Sequence, residues 1–319
     1  MGQLFQDGMA IVRKHGKPHL FITMTCNPEW PEIVAEVKAT GGQVGDRQDV
    51  VARVFRLQLK ALEQELYTIG IFGRSVAHLR VVEFQKRGLP HAHILLILHV
   101  DNCPRSPDDW HKFVQAELPD EKAHPKLFKI VSKNNMHGPC KKRPCGREMV
   151  NGKCIKKYPK DFCECDASTM KGFAQYKRRD AAHGGHDNNN MIVSYNWYLS
   201  WRYQCHINVE ICSSVTSVKY LYKYVCKGSD RIAATIRREG EHVDDEIHNY
   251  LTARYIGASE AVYRIFQFEH NSKYPAVERL AVHLPEQQLV YYNPTDQKSA
   301  CRCVVVYMQR YYFYGLVCL

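Results

Sequence analysis

Two histidines one residue apart, His91-Ala92-His93, open an apolar run that continues to Leu98. In an extended strand the side chains at i and i+2 project to the same face. Two imidazoles are thus presented side by side, a geometry suited to one divalent cation. Leu79 to Gln85 also reads as a strand, joined to the histidine strand (His91 to Leu98) through Lys86-Arg87-Gly88-Leu89-Pro90. If Gln85 pairs with His91 across this turn, Glu83 pairs with His93. Glu83, Gln85, His91 and His93 then line one polar patch on an otherwise apolar sheet. An acidic or amide oxygen with two imidazoles suits Mg²⁺ or Mn²⁺ and leaves positions open for substrate and water. Glu83 is the harder ligand, but strand parity does not separate it from Gln85. The competing reading makes both histidines core groups satisfied by backbone or water. It would be preferred for a lone histidine; two at strand spacing, opposite an acid, favour the metal.

A second cluster lies at Ser217 to Gly228, where Tyr220, Tyr222 and Tyr224 alternate with Leu221 and Lys223. As a helix ended by Gly228, it places Tyr220 and Tyr224 at i and i+4 on one face, flanked by Lys223 and Lys227. Nearby cations favour tyrosinate and can bind a phosphate. The same residues also alternate as a strand would, and so short a run does not decide between the two. With 19 tyrosines in the chain, packing or surface is the ordinary role for such a cluster.

A third set, His137, Cys140, Cys145 and Cys154, could hold a structural Zn²⁺ with three thiolates and an imidazole. The spacing is not a clean pair of C-x-x-C knuckles, and free thiols in a loop-rich insertion are the alternative. A segment this poor in apolar periodicity nevertheless needs some staple. Its Lys and Arg residues, from Lys141 to Lys160, could follow a nucleic-acid backbone or form a solvated face.

The elements that must position these groups are legible in part. His19 to Cys26 reads as a strand ended by Asn27-Pro28, and Gly41 to Gln48 as a polar loop. Val51, Phe55, Leu59, Leu62 and Leu66 mark one face of a long helix. The histidine strand, apolar on both faces apart from its imidazoles, should be central in a sheet. A short helix is expected near Trp110 to Ala116, and one or two helices over Asp244 to Phe268 with Gly257 and Ser259 as stop and restart. The organisation expected is a first domain segment over 1–135, a Cys- and Lys-rich insertion over 136–190, a second segment over 191–293 and an atypical tail over 294–319.

Length and composition bound the class. The 319 residues suffice for a buried core, and 45% apolar with 24% charged residues is an ordinary globular profile. No apolar run reaches membrane-span length, and no charged-then-apolar leader opens the chain. The net charge of +11 fits a polyanionic partner. Without a leader, the 13 cysteines are expected as reduced or metal-bound thiols rather than a disulfide framework.

Taken together, the chain resembles the Helitron helicase-like N-terminal domain, a rolling-circle transposase domain among the replication-initiator nucleases named for a His-apolar-His motif. The resemblance is carried by Phe21 to Pro28 (FITMTCNP) with Trp30-Pro31-Glu32, Asp49 to Phe55 (DVVARVF) and, most specifically, Glu83 to Leu95 (EFQKRGLPHAHIL). His137 to Cys140 (HGPC), His206 to Glu210 (HINVE), Lys219 to Gly228 and Arg254-Tyr255 continue it in order, covering roughly residues 15 to 290. It implies an α+β fold: a central antiparallel sheet with flanking helices, carrying the Cys-rich insertion. It also implies a nuclear, metal-dependent endonuclease and strand transferase acting on single-stranded DNA. His91, His93 and Glu83 would be the metal ligands, and Tyr220 and Tyr224 the catalytic tyrosines. One tyrosinate would attack phosphorus in line, giving a 5′-phosphotyrosine and a free 3′-OH.

Two features depart from that pattern. No G-x-x-x-x-G-K-[ST] phosphate loop is found, so ATP hydrolysis is not expected of this chain and a helicase would act in trans. Residues after about Asn293 no longer look like the family. No membrane or small-molecule substrate is expected. The alternative reading is a catalytically inactive or domesticated single-stranded DNA-binding module of the same fold, with Trp30, Trp197 and Trp201 for stacking.

Overall fold

Alternation of apolar residues builds one antiparallel sheet from strands β1 (Leu20–Thr25), β2 (Ser75–Phe84), β3 (Pro90–Leu98), β6 (Ile207–Ile211) and β7 (Asn271–Tyr274). The computed structural model describes residues 2–84, 89–138, 154, 156–169, 173–213 and 256–278. The chain divides after Val277, and every element described here belongs to the first unit, Met1–Val277. The strand order is β6-β1-β3-β2-β7, so the histidine strand β3 is the middle one, as its two-sided apolar pattern requires.

Strand parity sorts the side chains onto two faces. Leu20, Ile22 and Met24 of β1, Ala92, Ile94 and Leu96 of β3, and Ile207 and Val209 of β6 turn to the larger core. That core is closed by α2 (Pro31–Thr40), α3 (Gln48–Gln64) and α7 (Ala258–Ile265). The expected stripe of α3 is fully realised: Val51, Phe55, Leu59, Leu62 and Leu66 are each 0% exposed, and burying each such side chain stabilises by about 1.5–3 kcal/mol. The last of them sits in a wider turn, Glu65–Ile69, that ends the helix at Gly70. Gly70 has φ +72°, and a Cβ there would meet the Gly73 carbonyl oxygen at 3.0 Å, so the position favours glycine on both counts.

The opposite face carries a smaller cluster, Phe21, Ala77, Leu79, Val81, Leu95 and Ile97, packed with Ile11 of α1 (Gly2–His15). The polar histidine patch occupies the rest of this second face. Across the first face, Arg80 of β2 is 1% exposed. Its Nε donates to Glu63 at 2.8 Å and its Nη1 to the Glu269 carbonyl at 2.7 Å, tying β2 to α3 and to the segment after α7.

Several local expectations are corrected. β2 begins at Ser75, four residues before the expected start. The short helix α4 is Pro107–Trp110 rather than Trp110 to Ala116. Proline favours the first helical turn, while Gln115 exchanges backbone hydrogen bonds of 2.7 and 2.8 Å with Tyr195 and so leaves the helix. A helix follows where the sequence suggested none: α5 (Pro125–Asn134) starts in the same way, with Pro125 in its first turn. Gly257 is the N-cap of α7, so the helix starts at Ala258, one residue before the expected restart at Ser259.

The described part of 136–190 holds two short paired strands, β4 (Ala167–Ser168) and β5 (Ala174–Gln175). Its staple is Arg178, 4% exposed, whose Nη1 donates to the carbonyls of Ala116, Asn189 and Ile192 at 3.1, 2.6 and 2.6 Å. Beside it Arg179 grips Glu117 with Nε and Nη2 at 2.9 and 2.8 Å.

Candidate metal centre

Cross-strand pairing assembles the patch. β3 lies between β1 and β2, and its pairs are Thr25↔His91, Thr23↔His93, Glu83↔His91 and Val81↔His93. The register thus differs by two residues from the one expected from the turn: Glu83, not Gln85, stands opposite His91. A shift of two preserves parity, so Glu83 stays on the face of both imidazoles. Glu83 Oε2 lies 3.8 Å from His93 Nε2. Gln85 falls outside the described residues.

Each imidazole is held from the same side. The Thr25 hydroxyl lies 2.7 Å from His91 Nδ1, and the Thr23 hydroxyl 2.9 Å from His93 Nδ1. His93 also stacks on Phe21, with ring centroids 5.6 Å apart. A proton on Nδ1, donated to the threonine oxygen, leaves the Nε2 lone pair as the ligand, the usual arrangement around a metal-bound histidine. Thr23 and Thr25 were not singled out in the sequence, although the alternation in Phe21-Ile22-Thr23-Met24-Thr25 carried the signal.

The patch keeps both rings neutral. Burial, then the neighbouring His93, His206 and Lys156, lowers the His91 pKa to about 4, and burial lowers that of His93 to about 4. The contact of Glu83 with His93 is therefore not an ion pair at neutral pH. His206, at the edge of the patch, is fixed by the Asn134 carbonyl 2.8 Å from its Nδ1.

Donor type and one spacing suit a hard divalent cation. Two donors about 2.1 Å from one ion can be at most about 4.2 Å apart, which the Glu83–His93 separation satisfies. Among the described residues, no group of three or more His, Cys, Asp or Glu is placed to hold a metal ion. Holding an ion requires rotation of these side chains or a further donor.

The other predicted residues fare differently. His137 Nε2 and Cys154 Sγ meet at 3.3 Å, and His137 stacks on Tyr158 at 4.2 Å. Cys140 and Cys145 lie outside the described residues, as do Tyr220, Tyr224 and Lys227. Trp30 is not available for stacking: it is 3% exposed, and its indole N–H donates to the Tyr203 carbonyl at 2.7 Å.

Fold and patch define an α+β protein with a five-stranded antiparallel sheet that carries a histidine pair and an acid on one face. The family described as "Helitron helicase-like domain at N-terminus" matches residues 1–96. That stretch spans β1, α2, α3, β2 and most of β3, including Glu83, His91 and His93. The first 96 of the 319 residues are thus similar to the Helitron helicase-like N-terminal domain, which points to a Helitron-related role. No curated protein is found to match the chain.

Proposed function

We propose that the chain nicks single-stranded DNA and transfers the cut strand through a 5′-phosphotyrosine, with Mg²⁺ or Mn²⁺ held by His91, His93 and Glu83. The observation that carries this reading is the pairing of each imidazole with a threonine hydroxyl on the neighbouring strand. Such a bond would also satisfy a core histidine; what favours a ligand pair is that it fixes the tautomer of two imidazoles on one face, with Glu83 3.8 Å from His93 Nε2. A divalent cation at the patch would draw charge from the scissile phosphate.

The residues of the chain have distinct tasks. Thr23 and Thr25 orient the imidazoles, and Glu83 supplies negative charge. Tyr220 or Tyr224, as tyrosinate, forms the new O–P bond while the 3′-oxygen leaves and takes up a proton. Lys227 favours the tyrosinate and steadies the phosphate. The second tyrosine permits a second exchange before the first end is released. Each transfer replaces one phosphoester with another, so no external energy source is needed. The Cys segment, with His137 and Cys154 in contact, would be ordered by Zn²⁺ when Cys140 and Cys145 join them.

The test is cleavage of a 5′-labelled single strand in Mn²⁺. A shorter product with a free 3′-OH is expected from the wild type, and none with chelator or with His91→Ala. Cleavage that survives both removes the metal from the reading.

A further inference from the structure

The stretch His206 to Glu210 (HINVE) brings a third histidine to the patch. The chain leaves α6 (Trp197–Tyr203) through Gln204, whose φ of 47° turns it back towards β6. Pairing then sets Ile207 opposite Met24 and Asn208 opposite Thr23, and the Thr25 N–H donates to the His206 carbonyl at 2.9 Å. His206 therefore stands opposite Thr25, which itself stands opposite His91. Parity puts His206, Thr25, His91 and Glu83 in one row on one face, while Ile207 and Val209 turn to the larger core.

What distinguishes this ring is the group that holds it. The Asn134 carbonyl lies 2.8 Å from His206 Nδ1. A carbonyl only accepts, so Nδ1 carries the proton and Nε2 keeps its lone pair. No hydrogen bond reaches Nε2 among the described residues, and that nitrogen is not sealed from solvent. The neighbouring polar side chains of β6 are engaged with each other: the Ser194 hydroxyl donates to Asn208 Oδ1 at 2.9 Å, and Asn208 Nδ2 donates to Glu210 at 3.1 Å. His206 thus offers an open proton acceptor at the edge of the patch.

The holder also suits the charged ring. Asn134 closes α5, and its carbonyl is among those a helix leaves without an intrahelical donor. The C-terminal end of a helix carries partial negative charge, which favours an imidazolium beside it. The frame is fixed: Asn135, fully buried, donates from Nδ2 to the Ile207 carbonyl at 2.7 Å and locks the end of α5 onto β6. Burial lowers the His206 pKa, and the bond to Asn134 works against that fall. The ring rests neutral, and its cation, once formed, has a partner already in place.

We propose that His206 is the general base of strand transfer, an inference that rests on the DNA-nicking reading. Its Nε2 takes the proton from the attacking tyrosine hydroxyl as the new O–P bond forms. The bond from phosphorus to the 3′-oxygen breaks, and that oxygen takes a proton from solvent. The imidazolium then releases its own proton to solvent, so the protons balance and the ring is neutral again for the second exchange.

The test uses the full chain. With nitrogen-labelled histidine, the His206 ring should show a protonated Nδ1 and a bare Nε2 in magnetic resonance spectra, both without metal and with Mg²⁺. His206→Gln and His206→Ala should each cut a labelled single strand in Mn²⁺ at least roughly 100-fold more slowly in single turnover. Both should bind Mn²⁺ like wild type in titration calorimetry, whereas His91→Ala should not. Imidazole in the medium should restore part of the rate to His206→Ala and none to His91→Ala, a rescue that a merely structural role would not give. The inference is overturned if the His206 variants cut at the wild-type rate, if they lose Mn²⁺ as His91→Ala does, if imidazole restores nothing, or if Nε2 carries the resting proton. A wild type that cuts with no divalent metal sinks the nuclease reading and this inference with it. A wild type that cuts, with full-rate His206 variants, sinks this inference alone.

Discussion

Thr25 and His91 face each other across β1 and β3, with the threonine hydroxyl 2.7 Å from the imidazole Nδ1. This contact fixes which ring nitrogen is offered to the open side of the patch. Outer partners of this kind are commonly worth 10- to 100-fold in metal affinity or activity. Thr25→Val is therefore expected to weaken Mn²⁺ binding about tenfold or more, while Thr25→Ser restores it. Titration calorimetry with Mn²⁺ checks this; equal affinity for valine and threonine would remove the hydroxyl from the account.

The same patch sets a pH dependence for metal binding. With His91 and His93 lowered from 6.5 to about 4, both rings stay neutral through the range where an ordinary histidine protonates. Mn²⁺ binding should persist through pH 6.5 and fail only as the pH nears about 4. Half-loss near 6.5 would mean that the rings titrate as exposed ones do.

Fold stability follows from the same shifts. Between about 4 and 6.5 the unfolded chain binds protons that the folded His91 and His93 do not. Unfolding free energy then rises with pH across that window and is flat above it as far as these two groups are concerned. His78, lowered to about 4 by burial and then the nearby Arg80, adds to the same slope. Urea melts of the chain at several pH values measure this. A His91→Phe, His93→Phe double variant should show a shallower slope.

The guanidinium of Arg178 is the staple of the insertion. Replacing it with methionine leaves the carbonyls of Ala116 and Ile192 without their donor and that of Asn189 with only the Ile192 N–H at 3.3 Å. A buried acceptor left unsatisfied costs about 1–3 kcal/mol, so Arg178→Met should destabilise by at least about 2 kcal/mol in chemical denaturation. A loss under about 1 kcal/mol would indicate that water replaces the guanidinium without penalty.

A comparable loss is expected when Arg80 is removed. Arg80→Ala leaves Glu63 with Arg56 alone, 3.6 Å away, and the Glu269 carbonyl without the guanidinium, at the joint of β2, α3 and the segment after α7. Breaking a buried ion pair from one side typically costs about 3–5 kcal/mol. A melting temperature within a few degrees of wild type would contradict this.

The parts legible in the sequence are those governed by periodicity. The i, i+4 stripe of α3 and the two-sided apolar β3 have no other stable use, so Phe55, Leu59 and Ile94 declared their burial. The His91–His93 face followed from parity alone. Register did not follow, because it depends on turn residues and on pairing partners distant in sequence. β1 sits beside β3 across some 66 positions, which is why Thr25 went unnoticed as the partner of His91. The arginine staple was hidden for a related reason: nothing local distinguishes Arg178 from its surface neighbours, and only three carbonyls, 11, 14 and 62 positions away, make it a core residue. Trp30 and Trp197 look alike in sequence, yet one anchors α2 to Tyr203 and the other faces solvent.

The central claim is that the histidine patch supports formation of a covalent protein–DNA link. The most direct measurement uses a 3′-labelled single strand, because the cut leaves the label on the fragment attached through its 5′-phosphate. After incubation with Mn²⁺, the labelled band should shift to protein mobility on a denaturing gel, and peptide mapping should place the phosphate on Tyr220 or Tyr224. The shift should vanish in His91→Ala, His93→Ala and the Tyr220→Phe, Tyr224→Phe double variant. No shift with any divalent metal, or a shift that persists in both histidine variants, would contradict the account.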